Sequence, residues 1–402
     1  MVVPASADLG GPHAVFDFST PEYRLTARGV AHVVAPEAWD GPGVADAVES
    51  LLTHAGHDGP VVGCIPFDTG RPAALYIPED VTWRQASAGD DAGEGPEEGS
   101  GPTVVQGAAS SSPVGLPDSP GYRQAVARAV ERIDAGDLEK VVLARTAVLD
   151  ADEDFDIDRL VCDLSVANPH AYVYRTDIGA TGDNACGEGT LVGASPELVL
   201  RSRRGAVTSF PLAGSVPRDR ENPARDRDLT RGLLNSPKDR AEHAHVVRQV
   251  GEVFHRYAES VVVPEAPSVV STPVILHLGS RITGRLPQAG SPGAFMRMLY
   301  DLHPTPAVCG WPTATAREVI TELEDFDRGM YSGLVGWVDA EGNAEWALSL
   351  RGGVVSGSRA QLFAGAGIVS ESVPEEEHRE TATKFATFAR VLQNQQRRPV
   401  TV

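Results

Sequence analysis

Short clusters of apolar residues at Ala14–Phe18, Val30–Val34, Val61–Ile65 and Ala74–Ile77 predict strands near the start of the chain, with a helix over Gly43–His54 between them. From Trp83 to about Pro117 the pattern changes: Gly, Ser, Pro, Ala and acids dominate and large apolar side chains almost vanish, which predicts a flexible loop or linker. Beyond it, Ser119 and Pro120 form an N-cap and first turn, and Tyr122, Val126, Val130 and Ile133 recur at helical spacing. Ala135-Gly136 closes that helix, and Lys140 opens a strand, KVVLARTAVL. Further strands are expected at Leu191–Val192, Leu198–Leu200, Val207–Phe210, Val274–Leu278, Leu334–Val338, Trp346–Leu350 and Gln361–Ala364. Helices are expected at Lys238–Ala258, Pro292–Tyr300, Thr315–Leu323 and Pro374–Gln396. Strands and helices come in blocks without strict βα alternation, and no repeat of solenoid period is present. The expected class is therefore α/β of the α+β type: one fold with large, mostly antiparallel sheets flanked by helices. It divides into an N-terminal part at 1–83, the linker at 84–117 and a main region at 118–402.

Length and composition sharpen this picture. With 402 residues, 42% of them hydrophobic, the chain can bury a large core. A formal charge of −20 argues against a nucleic-acid partner or an anionic-membrane partner. The N-terminus has neither a basic n-region nor an apolar h-region, and no apolar run approaches the ~18 residues of a membrane span, so a cytoplasmic protein is expected. Cys64, Cys162, Cys186 and Cys309 lie far apart without a CxxC pair, which fits reduced thiols. The 35 basic residues comprise 32 arginines and only three lysines, Lys140, Lys238 and Lys384. Arginine stays protonated, whereas a lysine can lose its proton when burial or a neighbouring cation disfavours its charge, so each lysine is a chemical candidate.

Two predicted helices carry acids at one spacing. Asp239 and Glu242 share a face of NSPKDRAEHAHVV; Glu377 and Glu380 share a face of PEEEHRETATKF, with Lys384 one turn further on. Four carboxylates with no cysteine among them suit a hard ion such as Mg²⁺, while the plainer reading is two solvated acidic faces. His243 and His245 stand beside Glu242, but no HExxH pattern supports zinc. In AGAGIVS, Gly365 and Gly367 after a strand could form an anion nest of backbone N–H groups or simply a close-packed turn. Arg351, ending ALSLR, is either a bidentate carboxylate clamp or a surface arginine.

The segments EKVVLAR, GASPELVL, FPLAGSVPR, SPKDRAEH, LHPTPAVCGWP, ELEDFDRGMYSGLVGW, LSLR, FAGAGIV and EEEHRETATK occur in this order. Together they resemble the chorismate-utilising enzymes, continuously from about Ser119 to Gln396. VGCIPFD and AALYIPE extend a weaker likeness, to siderophore-type isochorismate synthases, into the N-terminal part. The resemblance implies an α/β chorismate-binding fold and a set of roles. Lys140 matches the base that activates water for attack on ring C2, and Glu197 the acid that protonates the departing C4 hydroxyl. Glu242 and Glu380 match direct Mg²⁺ ligands, and Asp239 and Glu377 a second, water-bridged pair. Gly214 and Ser215, with His277, Tyr331, Arg351, Gly365, Gly367 and Lys384, match the substrate pocket.

Within this superfamily the nucleophile decides the product. Ala213 of PLAGS stands where the aminodeoxychorismate branch carries a lysine, and HPTPAVCGWP differs from the Gly-rich run of the ammonia-using anthranilate synthases. Water remains, and with it an expected isochorismate synthase that needs chorismate and Mg²⁺ but no glutaminase subunit, acting as a monomer. The alternatives are a salicylate synthase, which goes on to eliminate pyruvate and has a threonine at the place of Ala307, or a chorismate-binding regulator without chemistry. The presence of both Lys140 and Glu197 weighs against the regulator, because binding alone needs no acid–base pair.

Overall fold

Phe16, Phe18, Leu25 and Tyr174 on one sheet meet Val62, Cys64, Val335 and Trp337 on another, and the fully buried layer they make is the centre of a sandwich. The computed structural model describes residues 14–54, 59–85, 118–182, 187–287 and 290–396. In one nine-stranded sheet the spatial order is 310–311, 140–150, 359–368, 352–356, 190–195, 172–177, 15–19, 23–28 and 80–85. The other nine-stranded sheet runs 259–262, 282–285, 206–210, 198–203, 344–348, 334–338, 61–65, 74–77 and 32–33. A three-stranded sheet, 212–217, 275–279 and 268–271, stands beside them. Every described strand pair is antiparallel. Strands 15–19 and 61–65 pair with 172–177 and 334–338, so the N-terminal part completes both large sheets.

Helices cover the outer faces: α1 (Gly41–His54), α2 (Pro120–Asp134), α3 (Ile157–Ala167), α4 (Pro223–Asn235), α5 (Pro237–Tyr257), α6 (Pro292–Leu302), α7 (Thr313–Leu323) and α8 (Pro374–Gln396). The largest apolar cluster joins α1, α2, α5, α6 and α7 to the sheets, and a second places α3 and α8 on the strands 190–195 and 359–368. Among the described residues no helix is long and apolar enough to cross a membrane.

The pattern-based expectations hold where periodicity is strong. Ser119 caps α2, its Oγ accepting from Tyr122 N at 3.4 Å, and Ser236 caps α5, accepting from Asp239 N at 3.2 Å. Other expectations need correction. Strand Tyr23–Arg28 was not foreseen, although its burial alternates residue by residue. Neither was α3, nor α4, whose PARDRDLTRGLLN buries only Leu233 and so carries almost no apolar period. The region 30–34 pairs only at His32–Val33, and residues 84–85 of the expected linker continue the strand Asp80–Gln85. The rest of that linker, 86–117, lies outside the described residues, as does Cys186. Gly365 and Gly367 lie within the strand Arg359–Ile368, paired with Ala144 and Val142, so AGAG forms neither a nest nor a turn.

Candidate active site

Strand 140–150, strand 359–368, the small sheet and the helices α5 and α8 converge around a cleft. Eleven of the fourteen residues singled out in the sequence line it. The other three, Lys140, Asp239 and Glu377, stand behind the wall.

The acidic helix faces are largely withdrawn from solvent: Glu377 is buried, and the Glu242 and Glu380 side chains are 13% and 29% exposed. Each of the chain's three lysines is spent on this cluster. Lys140 Nζ lies 3.0 Å from Glu242 Oε1, Lys384 Nζ lies 2.6 Å from Glu380 Oε1, and Lys238 Nζ lies 3.5 Å from Glu377 Oε1. A compact ammonium can pair with one carboxylate where a guanidinium fork would need more room, which accounts for lysine here in an arginine-rich chain. Burial, together with the charge of Glu380, raises the Glu377 pKa, and burial also raises that of Asp239, with Glu242 adding to it. Burial pushes Glu380 upward too, but Lys384, Ser215 (3.1 Å) and Arg351 outweigh it and hold this carboxyl below its ordinary value. Three of the cluster's four carboxylates are thus already paired with lysines, and its donors are all oxygens. His243, which zinc would have recruited, turns instead to Ser280 Oγ at 2.8 Å, and burial lowers its pKa to about 4. Among the described residues, no three Asp, Glu, His or Cys side chains already stand together as a metal centre.

Glu197 sits between strands Thr190–Ser195 and Leu198–Arg203 and is 4% exposed. Burial raises its pKa to about 8, against the pull of the Leu212 backbone N–H and of the charges on Lys140, Arg351 and Lys384. At neutral pH it is therefore a carboxylic acid carrying a proton.

The remaining contacts shape the pocket. Arg351 has a left-handed backbone, φ 55°, a conformation costing ~1–3 kcal/mol that tends to persist at functional sites. Its Nη2 meets His277 Nε2 at 3.3 Å, and its buried Nη1 has no partner among the described residues. Burial, then the charges of Arg351 and Lys384, holds His277 far below its usual pKa, so the ring is neutral and Nε2 accepts. His277 faces Ser215 across the small sheet. The strand shifts register at Gly214, whose φ of +76° and missing Cβ allow Asp239 Cβ to come within 2.9 Å of the vacant position. Tyr331 stacks on Phe363 with ring centroids 4.9 Å apart. Lys384 Nζ also donates to Gly365 O at 2.8 Å.

The strand glycines matter through what they lack. A Cβ at Gly367 would sit 2.5 Å from Glu242 Oε1 and 3.1 Å from Lys140 Cε; at Gly365 it would sit 3.2 Å from Tyr331 Oη. Gly367→Ala should therefore displace the Lys140–Glu242 pair and lower kcat/KM about 10²-fold, the scale of a ~1 Å misplacement. Steady-state kinetics beside a thermal melt would check this, and an unchanged kcat/KM would contradict it.

Phe363, Ser332 and Leu350 also line the cleft and were not anticipated, although each lies in or beside a quoted segment. Ala307 and Val308 of LHPTPAVCGWP form another wall.

The chain as a whole is similar to several known proteins. The isochorismate synthase DhbC of Bacillus subtilis is 36% identical over 94% of this chain and 93% of its own length. The isochorismate synthase EntC of Escherichia coli is 37% identical over 83% of this chain and 81% of its own. The crystal structure of DhbC from Bacillus anthracis superposes with a TM-score of 0.83 at 33% identity, covering 95% of this chain and 97% of that one. The family profile described as chorismate binding enzyme matches residues 102–393. With that profile spanning most of its length and such relatives along nearly all of it, the chain belongs to the chorismate-binding enzymes.

Proposed function

We propose that this chain is an isochorismate synthase, an isomerase that adds water at C2 of chorismate and expels the C4 hydroxyl as water, and that it works as a Mg²⁺-dependent cytoplasmic monomer without a glutaminase partner. One observation carries the reading: a buried amine, Lys140, lies behind a cleft whose wall bears a buried carboxylic acid, Glu197, protonated at neutral pH. An amine and a carboxylic acid beside one cleft are the two proton carriers that a hydroxyl exchange across a ring requires. The names of the relatives, isochorismate synthases in Bacillus subtilis and Escherichia coli, support the same reading.

In its neutral amine form, Lys140 Nζ takes a proton from the attacking water. Glu197 gives its proton to the leaving oxygen, so the balance of atoms is an isomerisation. Ala213 offers no amine to compete with water. Arg351, whose Nη1 has no partner among the described residues, binds the enolpyruvyl carboxylate, assisted by Lys384, and the neutral His277 holds the guanidinium in place. Tyr331 and Ser215, with the strand at Gly365 and Gly367, fix the substrate. Glu242 and Glu380 would hold Mg²⁺ directly, and Asp239 and Glu377 through water. The all-oxygen donor set fits that ion. When bound, Mg²⁺ would neutralise and orient the ring carboxylate.

The acid assignment has a pH signature. Glu197 must be protonated to act, so with a pKa of about 8 it is competent at pH 7 and loses its proton as the pH rises through that value. kcat/KM should therefore fall on the alkaline side with an apparent pKa near 8. A profile that stays flat to pH 10 would remove Glu197 from this role. The function itself is tested by following chorismate consumption with Mg²⁺ and with excess EDTA: turnover only with the metal is expected, and no consumption in either would refute the reading.

A further inference from the structure

A buried ion pair lies outside the cleft and has no part in the chemistry above. The side chains of Glu324, at the C-terminus of α7, and Arg328 are each 3% exposed. Arg328 Nε donates to Glu324 Oε2 at 2.8 Å, and its Nη2 to Glu324 Oε1 at 2.5 Å. The remaining contacts are with backbone on two separate segments. Arg328 Nη2 donates to Val142 O at 2.7 Å, and Ala144 N donates to Glu324 Oε1 at 2.7 Å, both on the strand that begins with Lys140. Arg328 Nη1 donates to Val308 O at 2.8 Å, in the wall beside Ala307. The guanidinium also lies 4.4 Å over the Phe67 ring, and Arg328 O accepts from Tyr331 N at 2.9 Å. One planar fork thus ties together the strand of the proposed base, the wall segment and the turn that carries Tyr331.

A buried ion pair is a weak source of stability, since apolar residues of equal volume often do as well. Its distinctive property is direction: five donors in a rigid plane can hold two carbonyls from two segments at fixed separation. We propose that Glu324 and Arg328 are a positioning pair that locks the Ala307–Val308 wall to the Lys140 strand, and that this lock keeps the product at isochorismate by denying the enolpyruvyl group the geometry for pyruvate release. This rests on the isochorismate synthase reading and adds to it the origin of product fidelity. In the elimination, the C2 hydrogen passes to the enolpyruvyl methylene carbon, the C3–O bond breaks, and pyruvate leaves as the ring becomes aromatic. The step needs no other reactant, so geometry alone can suppress it.

The test compares the intact wild-type chain with Arg328→Lys, which keeps the charge and loses the fork, and with Glu324→Gln, which keeps the shape and an acceptor oxygen. Thermal melts establish folding. Chorismate loss, isochorismate by chromatography and pyruvate by coupled lactate dehydrogenase are then measured together. Folded Arg328→Lys is expected to lose about tenfold or more in kcat and to release at least about threefold more pyruvate per chorismate consumed, with Glu324→Gln shifting the same way. Pyruvate fractions within about twofold of wild type in any folded variant would overturn the proposal. So would failure of both variants to fold, which would assign the pair to stability. A wild-type chain that leaves chorismate untouched would instead refute the functional reading, in a separate arm of the same experiment.

Discussion

Replacing Lys140 by alanine is expected to lower kcat by about 10²- to 10⁴-fold, the usual worth of a positioned general base, while chorismate still binds. The side chain is fully buried, and its Nζ is 3.0 Å from Glu242 on the cleft wall. Arg351, Lys384 and Ser215, which carry the proposed substrate contacts, are untouched by the change. The expected pattern is therefore a collapse of kcat with a Kd, from calorimetry, within a few-fold of wild type. Because alanine leaves a buried void and an unpaired Glu242, Lys140→Met serves as a companion that keeps the volume, and it should be equally inactive. If either folded variant kept more than about a tenth of wild-type kcat, Lys140 would not be the base.

Glu380→Gln should be nearly as damaging, for another reason. Its carboxylate accepts from Lys384 and Ser215, and with Glu242 it is one of the two proposed direct metal ligands that line the cleft. Glutamine preserves the shape but removes the charge, so Lys384 loses its counter-ion and a divalent cation loses a ligand. Replacing partners even one layer out from a metal typically costs ~10- to 100-fold, and a direct ligand should exceed that. Mg²⁺ affinity measured by calorimetry should therefore fall with activity in Glu380→Gln, and likewise in Glu242→Gln. Full activity of the wild-type chain in excess EDTA would remove the metal from the account.

How much of this was legible in the sequence depended on the physical signal behind each feature. The caps at Ser119 and Ser236 and the apolar period of α2 made those helices readable, because capping and periodicity are local. Helix α4 was not readable, since it lies on the surface and buries only Leu233. The scarcity of lysine marked Lys140, Lys238 and Lys384 as special, but their pairing with Glu242, Glu377 and Glu380 depends on how α5, α8 and the strand from Lys140 come together. The glycines of AGAG suggested a turn when read alone; within a strand they clear space for Glu242, Lys140 and Tyr331, a reason that appears only when those side chains arrive from elsewhere in the chain. Glu324 and Arg328 stood in a quoted segment without a role, because the carbonyls they serve belong to Val142 and Val308, distant in sequence.

Product analysis tests the central claim most directly. The chain is incubated with chorismate and Mg²⁺ at neutral pH, the products are separated by chromatography, and pyruvate is followed in parallel with lactate dehydrogenase. Isochorismate should accumulate as chorismate disappears, with pyruvate a small fraction of the chorismate lost. Stoichiometric pyruvate with salicylate would contradict the account and make the chain a salicylate synthase.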